Sequence, residues 1–240
     1  MARHIIKFVH AKCARRLMGA AGVAAAMCAS TLLGVPVPAA SAEPCPDIEA
    51  VFARGSGEPP GLGAVGGAFV DALRAQVGAR SLGVYAVNYP ASTDFGSPDF
   101  PGTVVDGIRD ASTHIQSMVA SCPKTRAVLG GYSQGAAVAG YVTSAAVPAG
   151  VPASLVPAPM APEIANHVAA VTLFGAPSDQ FLGQYGAPPI AIGPLYQAKT
   201  LKLCAPGDGI CGDGDSPVAH VGYALNGMVS QGAEFAASRL

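Results

Sequence analysis

Five short apolar runs separated by helical patterns constrain this chain more than any other feature. Ile48-Glu49-Ala50-Val51-Phe52 leads into Arg54-Gly55-Ser56-Gly57, and Leu82–Val87, Ala127–Leu129, Val168–Phe174 and Leu201–Leu203 each end close to Gly, Pro or Asn. Length and punctuation, rather than periodicity, mark such runs as strands. Between them, Val104, Ile108, Ile115, Met118 and Val119 share one face of a helix predicted from about Thr103 to Ser121, and Phe69, Leu73 and Val77 follow at i, i+4 and i+8. Val221, Leu225, Met228 and Val229 predict a closing helix. Buried strands alternating with helices imply an α/β fold: a parallel sheet covered on both faces, with ligands at the carboxyl ends of its strands. One stretch departs from the pattern. From Val147 to Pro162, prolines at 148, 152, 157, 159 and 162 exclude helix and central strand. That segment is a surface loop or insertion, which either borders a site or only bridges two elements.

Charge divides the chain in two. Residues 1–42 hold Arg3, Lys7, Lys12, Arg15 and Arg16 and no acid, whereas residues 43–240 carry nine basic and 15 acidic side chains, a net charge near −6. An acidic body without a Lys/Arg cluster excludes nucleic acid as a partner. Its half-apolar composition, with 12% charged residues, also excludes a disordered chain. The first segment reads as an export signal: a basic region to Arg16, an apolar run from Leu17 to Val35, and the small-x-small pattern Ala40-Ser41-Ala42. Cleavage is expected after Ala42, leaving residues 43–240 as one secreted domain without a membrane span. An uncleaved anchor is the alternative, but the run is rich in Ala and Gly and only weakly hydrophobic. Met27 ahead of Cys28 argues against lipidation there.

Cys45, Cys122, Cys204 and Cys211 remain once Cys13 and Cys28 leave with the signal. Four cysteines in an exported chain suggest two disulfides, with three connectivities possible in principle. A local Cys204–Cys211 bridge around the Gly/Pro/Asp loop is the simplest choice, and it leaves Cys45 for Cys122. No Cys-x-x-Cys or nearby His pair supports a zinc site instead.

The chemistry centres on Gly131-Tyr132-Ser133-Gln134-Gly135, which follows the run Ala127–Leu129 and precedes a helical stretch from Ala136 to Ser144. Gly-x-Ser-x-Gly between strand and helix is a nucleophile elbow. The helix beginning there aims N–H groups and a positive dipole end at any anion formed beside Ser133. A serine nucleophile needs a base, and the base needs an orienting carboxylate, in the order Ser, acid, His on an α/β-hydrolase scaffold. Of the remaining histidines, His114 precedes the serine and His167 sits just before a strand, so His220 is the candidate base. Asp208 lies between Cys204 and Cys211 directly after the last strand, which favours it as the acid over Asp179, Asp213 and Asp215. The N–H of Gln134 supplies one oxyanion donor by geometry, and the loop holding Ser56 is the candidate source of a second.

Together, Phe52-Ala-Arg-Gly-Ser-Gly-Glu58, Gly131-Tyr-Ser-Gln-Gly135, Cys204-x-x-x-Asp208-x-x-Cys211 and His220 resemble the cutinase family, especially its secreted actinobacterial esterases. The resemblance covers essentially all of residues 44–240. It implies a compact three-layer α/β-hydrolase with about five mainly parallel strands and no large lid. It implies a triad of Ser133, Asp208 and His220, an oxyanion hole at Ser56 and Gln134, and the pairings Cys45–Cys122 and Cys204–Cys211. It also implies a cofactor- and metal-independent serine esterase, acting as a monomer on cutin-like polyester or short- to medium-chain acyl esters. A secreted lipase or phospholipase on the same scaffold and a non-catalytic cell-envelope binding protein are the alternatives. The Pro-rich stretch is longer than the simplest family members need. Phe181–Tyr185 and Pro188–Tyr196 either line an acyl groove or pack the core.

Overall fold

A computed structural model describes residues 44–240. The expected signal at 1–42, with Cys13 and Cys28, lies outside the described residues. Among the described residues, five strands form one wholly parallel sheet: β1 (Ile48–Ala53), β2 (Leu82–Ala86), β3 (Arg126–Tyr132), β4 (Val168–Phe174) and β5 (Thr200–Leu203), in the spatial order β2-β1-β3-β4-β5. Side chains alternate across a strand, and β1 shows the consequence. Val51 and Ala53 face α2 (Phe100–Ser121) and α3 (Gln134–Val142), where they pack with Ile115 and Val138. Ile48, Ala50 and Phe52 face the other way, towards α1 (Gly63–Gln76) and α7 (Met228–Ala237), where they join Phe69 and Ala233. Three layers with two cores result.

The strand order places the site. The chain leaves β1 towards β2 on one side, then returns to build β3, β4 and β5 on the other, so the order reverses between β1 and β3. Loops leaving two such strands diverge and open a crevice at their carboxyl ends. Those loops are Arg54–Glu58 after β1 and the turn at Ser133 after β3.

Three local expectations change. The strand predicted at Ala127–Leu129 continues through Gly130 and Gly131 to Tyr132. A Cβ at Gly130 would lie 2.7 Å from the Phe52 ring, so this glycine fills a close-packed strand position instead of ending it. The predicted closing helix is two helices, a short α6 (Pro217–Val221) and α7, separated by a turn ending at left-handed Gly227. Leu225, expected on the apolar face, lies in that turn and is 93% exposed, while Val229, Ala233 and Ala236 form the buried stripe. The Pro-rich segment is irregular as expected up to a 3-10 turn at Pro162–Asn166.

Two disulfides join described residues, Cys45–Cys122 and Cys204–Cys211. The first fastens the segment before β1 to the end of α2, and the second closes the loop after β5. No helix among the described residues is long and apolar enough to cross a membrane.

Candidate active site

The turn after β3 requires its glycines for contact as well as conformation. A Cβ on Gly131 would lie 2.1 Å from the Gly135 carbonyl oxygen, and one on Gly135 would lie 2.0 Å from that of Ala53. Between them Ser133 adopts φ 55° and ψ −119°, a region L-residues avoid. The Phe174 carbonyl accepts the Ser133 N–H at 2.9 Å, and the Ser133 carbonyl accepts from the N–H groups of Ala136 and Ala137. The strained residue is thus held from both sides.

His220 Nε2 lies 2.8 Å from Ser133 Oγ, and its Nδ1 lies 2.8 Å from Asp208 Oδ2. His220 comes from α6, whose Ser216 hydroxyl accepts the Ala219 N–H as an N-cap. Tyr132 orients it further, since its hydroxyl donates to the His220 carbonyl at 2.8 Å and the two rings stack with centroids 5.2 Å apart. Burial, then the charges of Glu58 and Asp208, push the Tyr132 hydroxyl up to about 12, so it remains a donor.

Asp208 is 1% exposed. Its Oδ1 accepts the Ile210 N–H at 2.8 Å, and its Oδ2 also accepts the Tyr223 hydroxyl at 2.7 Å. Burial acts to raise the carboxyl pKa, but the bonds from His220, Tyr223 and Ile210 outweigh it, leaving Asp208 below the ordinary carboxylate value. Tyr223 is fully buried and also accepts the Ala205 N–H at 2.9 Å. Burial, together with the Asp208 carboxylate, raises its hydroxyl pKa, so it too stays a donor.

On the other side of the serine, the Arg54–Glu58 loop is braced by a buried cation. Arg54 donates Nε to the Glu58 carbonyl at 2.8 Å and Nη2 to the Tyr89 carbonyl at 2.7 Å. The Glu58 carboxylate accepts the N–H groups of Gly55 and Ala64, both at 2.7 Å. The Gly57 N–H donates to Ala91 at 2.8 Å, tying the loop to the segment after β2. Ser56 is left lining the same cavity as Ser133, Gln134 and His220. The Gln134 N–H is the first in α3 and has no acceptor within its own helix.

Ser133, Asp208, His220, Ser56 and Gln134 therefore converge. The rejected candidates do not. His114 stacks on Tyr85 and approaches Glu49 at 3.1 Å near the start of β1, and His167 precedes β4, so both lie towards the amino ends of the strands. Asp179 opens α4 (Asp179–Gln184) and is exposed, as are Asp213 and Asp215. Reasoning from sequence missed Tyr223, Tyr132 and Arg54. Of these, Arg54 and Tyr132 lay in quoted motifs without being given a role, and no spacing rule ties a tyrosine 15 residues downstream to Asp208. Cys204, Asp208 and Cys211 cluster as metal ligands would, but their sulfurs are bonded to each other and offer no thiolate.

The cavity has a volume of about 760 Å³. The Pro-rich segment borders it through Val151 and Val156, and Phe181, Leu182 and Tyr185 also line it. The other stretch of uncertain role is mixed: Pro188 reaches the cavity, Ile190 packs under Ala137 and Leu182, and Tyr196 of α5 (Pro194–Gln197) belongs to the core.

Comparison with known proteins gives concordant results. The Cutinase family profile matches residues 44–240. A probable carboxylesterase, Culp7, of Mycobacterium tuberculosis is 81% identical over 165 residues, covering 69% of this chain and 88% of its own. Phospholipase Culp4 of the same organism is 50% identical over 229 residues, covering 95% and 93%. Among solved structures, Trichoderma reesei cutinase in complex with a C11Y4 phosphonate inhibitor aligns with TM-score 0.58 and 35% identity, covering 81% of this chain and 77% of that one.

Proposed function

Since the chain belongs to the cutinase family and is a carboxylic ester hydrolase, we propose that it cleaves its substrates through an acyl-enzyme on Ser133. One observation carries this reading: Asp208, His220 and Ser133 form an unbroken relay of two 2.8 Å contacts ending at the first turn of α3. His220 Nε2 takes the hydroxyl proton as Ser133 Oγ attacks the ester carbonyl. The oxyanion is held by the Gln134 N–H and by Ser56. The alcohol leaves with the proton from His220, and water activated by the same nitrogen releases the acid and restores Ser133. Asp208 fixes the imidazole tautomer and stabilises the imidazolium without taking its proton. Tyr223 and the Ile210 N–H keep Asp208 ionised for that role.

Export of this enzyme is part of the proposal. The basic and apolar leader supports it, as do disulfides of a kind that persist in oxidising compartments. We propose a monomer acting on an ester or lipid substrate, with no nucleic-acid partner, in keeping with the acidic body. A phospholipase activity is the second reading, favoured by the identity to a protein named as one. The test is hydrolysis of chromogenic esters by the purified protein beside Ser133→Ala. The variant should retain its fold and lose on the order of a millionfold in kcat, the loss expected when a triad nucleophile is removed. A folded variant retaining a tenth of the activity would refute the assignment.

A further inference from the structure

The cavity beside Ser133 is long, and among the described residues no Asp, Glu, Lys or Arg lines it. Its α2 wall runs from Phe100 to Ser112, twelve helical steps, or about 18 Å at ~1.5 Å per step. Along that length α2 presents Val104, Val105 and Ile108. One leaflet of a bilayer's hydrocarbon core is about 15 Å deep, half of ~30 Å, so a cavity of this length accommodates a whole membrane-lipid acyl chain. Its volume of about 760 Å³ agrees. It equals roughly 25 water-sized groups at ~30 Å³ each, enough for such a chain with space for the ester.

Residues from Val147 to Pro159 of the Pro-rich segment supply the other long wall. The segment is irregular yet constrained. Two consecutive turns, Val151 N–H to Pro148 and Leu155 N–H to Pro152, are each opened by a proline, and the fixed proline φ stiffens what is otherwise coil. Its apolar side chains Val151 and Val156 turn inward, while Leu155 between them is 62% exposed. An extended stretch that only bridged α3 and β4 would have no need to line a cavity continuous with the nucleophile.

We propose that this cavity binds one long, unbranched acyl chain of the substrate, and that the Pro-rich segment limits the chain length accepted. The proposal rests on the acyl-enzyme reading and deepens it, moving the preferred substrates from the short and medium esters expected from sequence to esters of long-chain acids. With no cation in the cavity to meet a phosphate or carboxylate, a charged head group stays on the alcohol side, outside.

The test compares p-nitrophenyl esters from two to sixteen acyl carbons, below their micellar concentrations, with Ser133→Ala as the blank. Burying each added methylene should raise kcat/KM about three- to fourfold until the cavity is full, continuing past ten carbons. Val156→Trp, which fills the cavity from a surface segment, and Val105→Phe, which fills it from α2, should each lower the ratio of sixteen-carbon to four-carbon kcat/KM by more than tenfold. Circular dichroism establishes that both variants fold. A wild-type profile that levels off by six carbons would overturn the proposal, as would variants that lose activity equally at every length. If folded wild-type protein hydrolyses neither the shortest nor the longest ester above the blank, the acyl-enzyme reading fails, and the proposal with it.

Discussion

Tyr223→Phe isolates the support beneath Asp208. The substitution keeps the buried ring in place and removes only the hydroxyl, which donates to Asp208 Oδ2 at 2.7 Å and accepts the Ala205 N–H at 2.9 Å. A hydrogen bond to a charged group contributes about 1.5–3 kcal/mol, and stranding a buried N–H costs about 1–3 kcal/mol. The two effects share one site and will not add fully, so the expected loss is about 3 kcal/mol. For a domain of this size that is roughly 6–12 °C in Tm. The loss should also depend on pH. Asp208 is held below its ordinary value in the folded protein, so its contribution is present above the unfolded pKa and disappears as pH falls through the folded one. Removing a donor raises the folded pKa towards the unfolded value and shrinks that contribution. Urea unfolding should therefore show a larger deficit at pH 7 than at pH 3, which lies below the ordinary carboxylate pKa of the unfolded chain. Turnover should fall by no more than about tenfold, because the 2.8 Å contact from His220 to Asp208 survives. A deficit below about 1 kcal/mol, or one equal at both pH values, would refute the claim that Tyr223 helps hold Asp208 ionised.

Two other substitutions separate the remaining parts of the site. Replacing both Cys204 and Cys211 with serine opens a loop closed across seven residues and should cost about 2–3 kcal/mol on the chain-entropy model. It should also lower kcat, because that loop carries Asp208; urea unfolding and ester hydrolysis measured side by side would check both. Ser56→Ala removes a hydroxyl but leaves the N–H. If the hydroxyl serves the oxyanion, kcat should drop on the order of a hundredfold with little change in KM, whereas a drop below threefold would assign the role to the backbone alone.

The parts of this protein legible in its sequence are those fixed by local chemistry. Short apolar runs ending in turn residues located every strand. The central strands β1, β3 and β4 are buried along nearly their whole length and have almost no polar positions to blur them, whereas the half-exposed edge strands β2 and β5 were marked by their length and punctuation. The elbow was legible because a serine in strained geometry with backbone 2.0–2.1 Å from would-be Cβ atoms tolerates only glycine on either side. Asp208 could be singled out because the paired cysteines fix the loop that carries it. Contacts between segments distant in the chain were not legible. Tyr132, Tyr223 and Arg54 act through hydrogen bonds to carbonyl and carboxylate groups whose positions depend on the assembled sheet. The closing helix was misjudged for a related reason. Leu225 fits an apolar stripe by spacing, but the turn around it places His220 over Ser133, and the stripe that packs on the sheet starts at Val229. The Pro-rich segment was recognised as irregular, whereas its inward Val151 and Val156 became apparent only with α2 opposite them.

The central claim is that one serine, strained at the end of β3 and paired with His220, is the nucleophile. Titration with a long-chain alkyl phosphonate, followed by peptide mapping, tests it most directly. The account predicts inactivation at one equivalent per chain, with the adduct on the peptide containing Ser133 and none formed by Ser133→Ala. Stoichiometric labelling of any other residue, or full activity in protein whose Ser133 is modified, would contradict it.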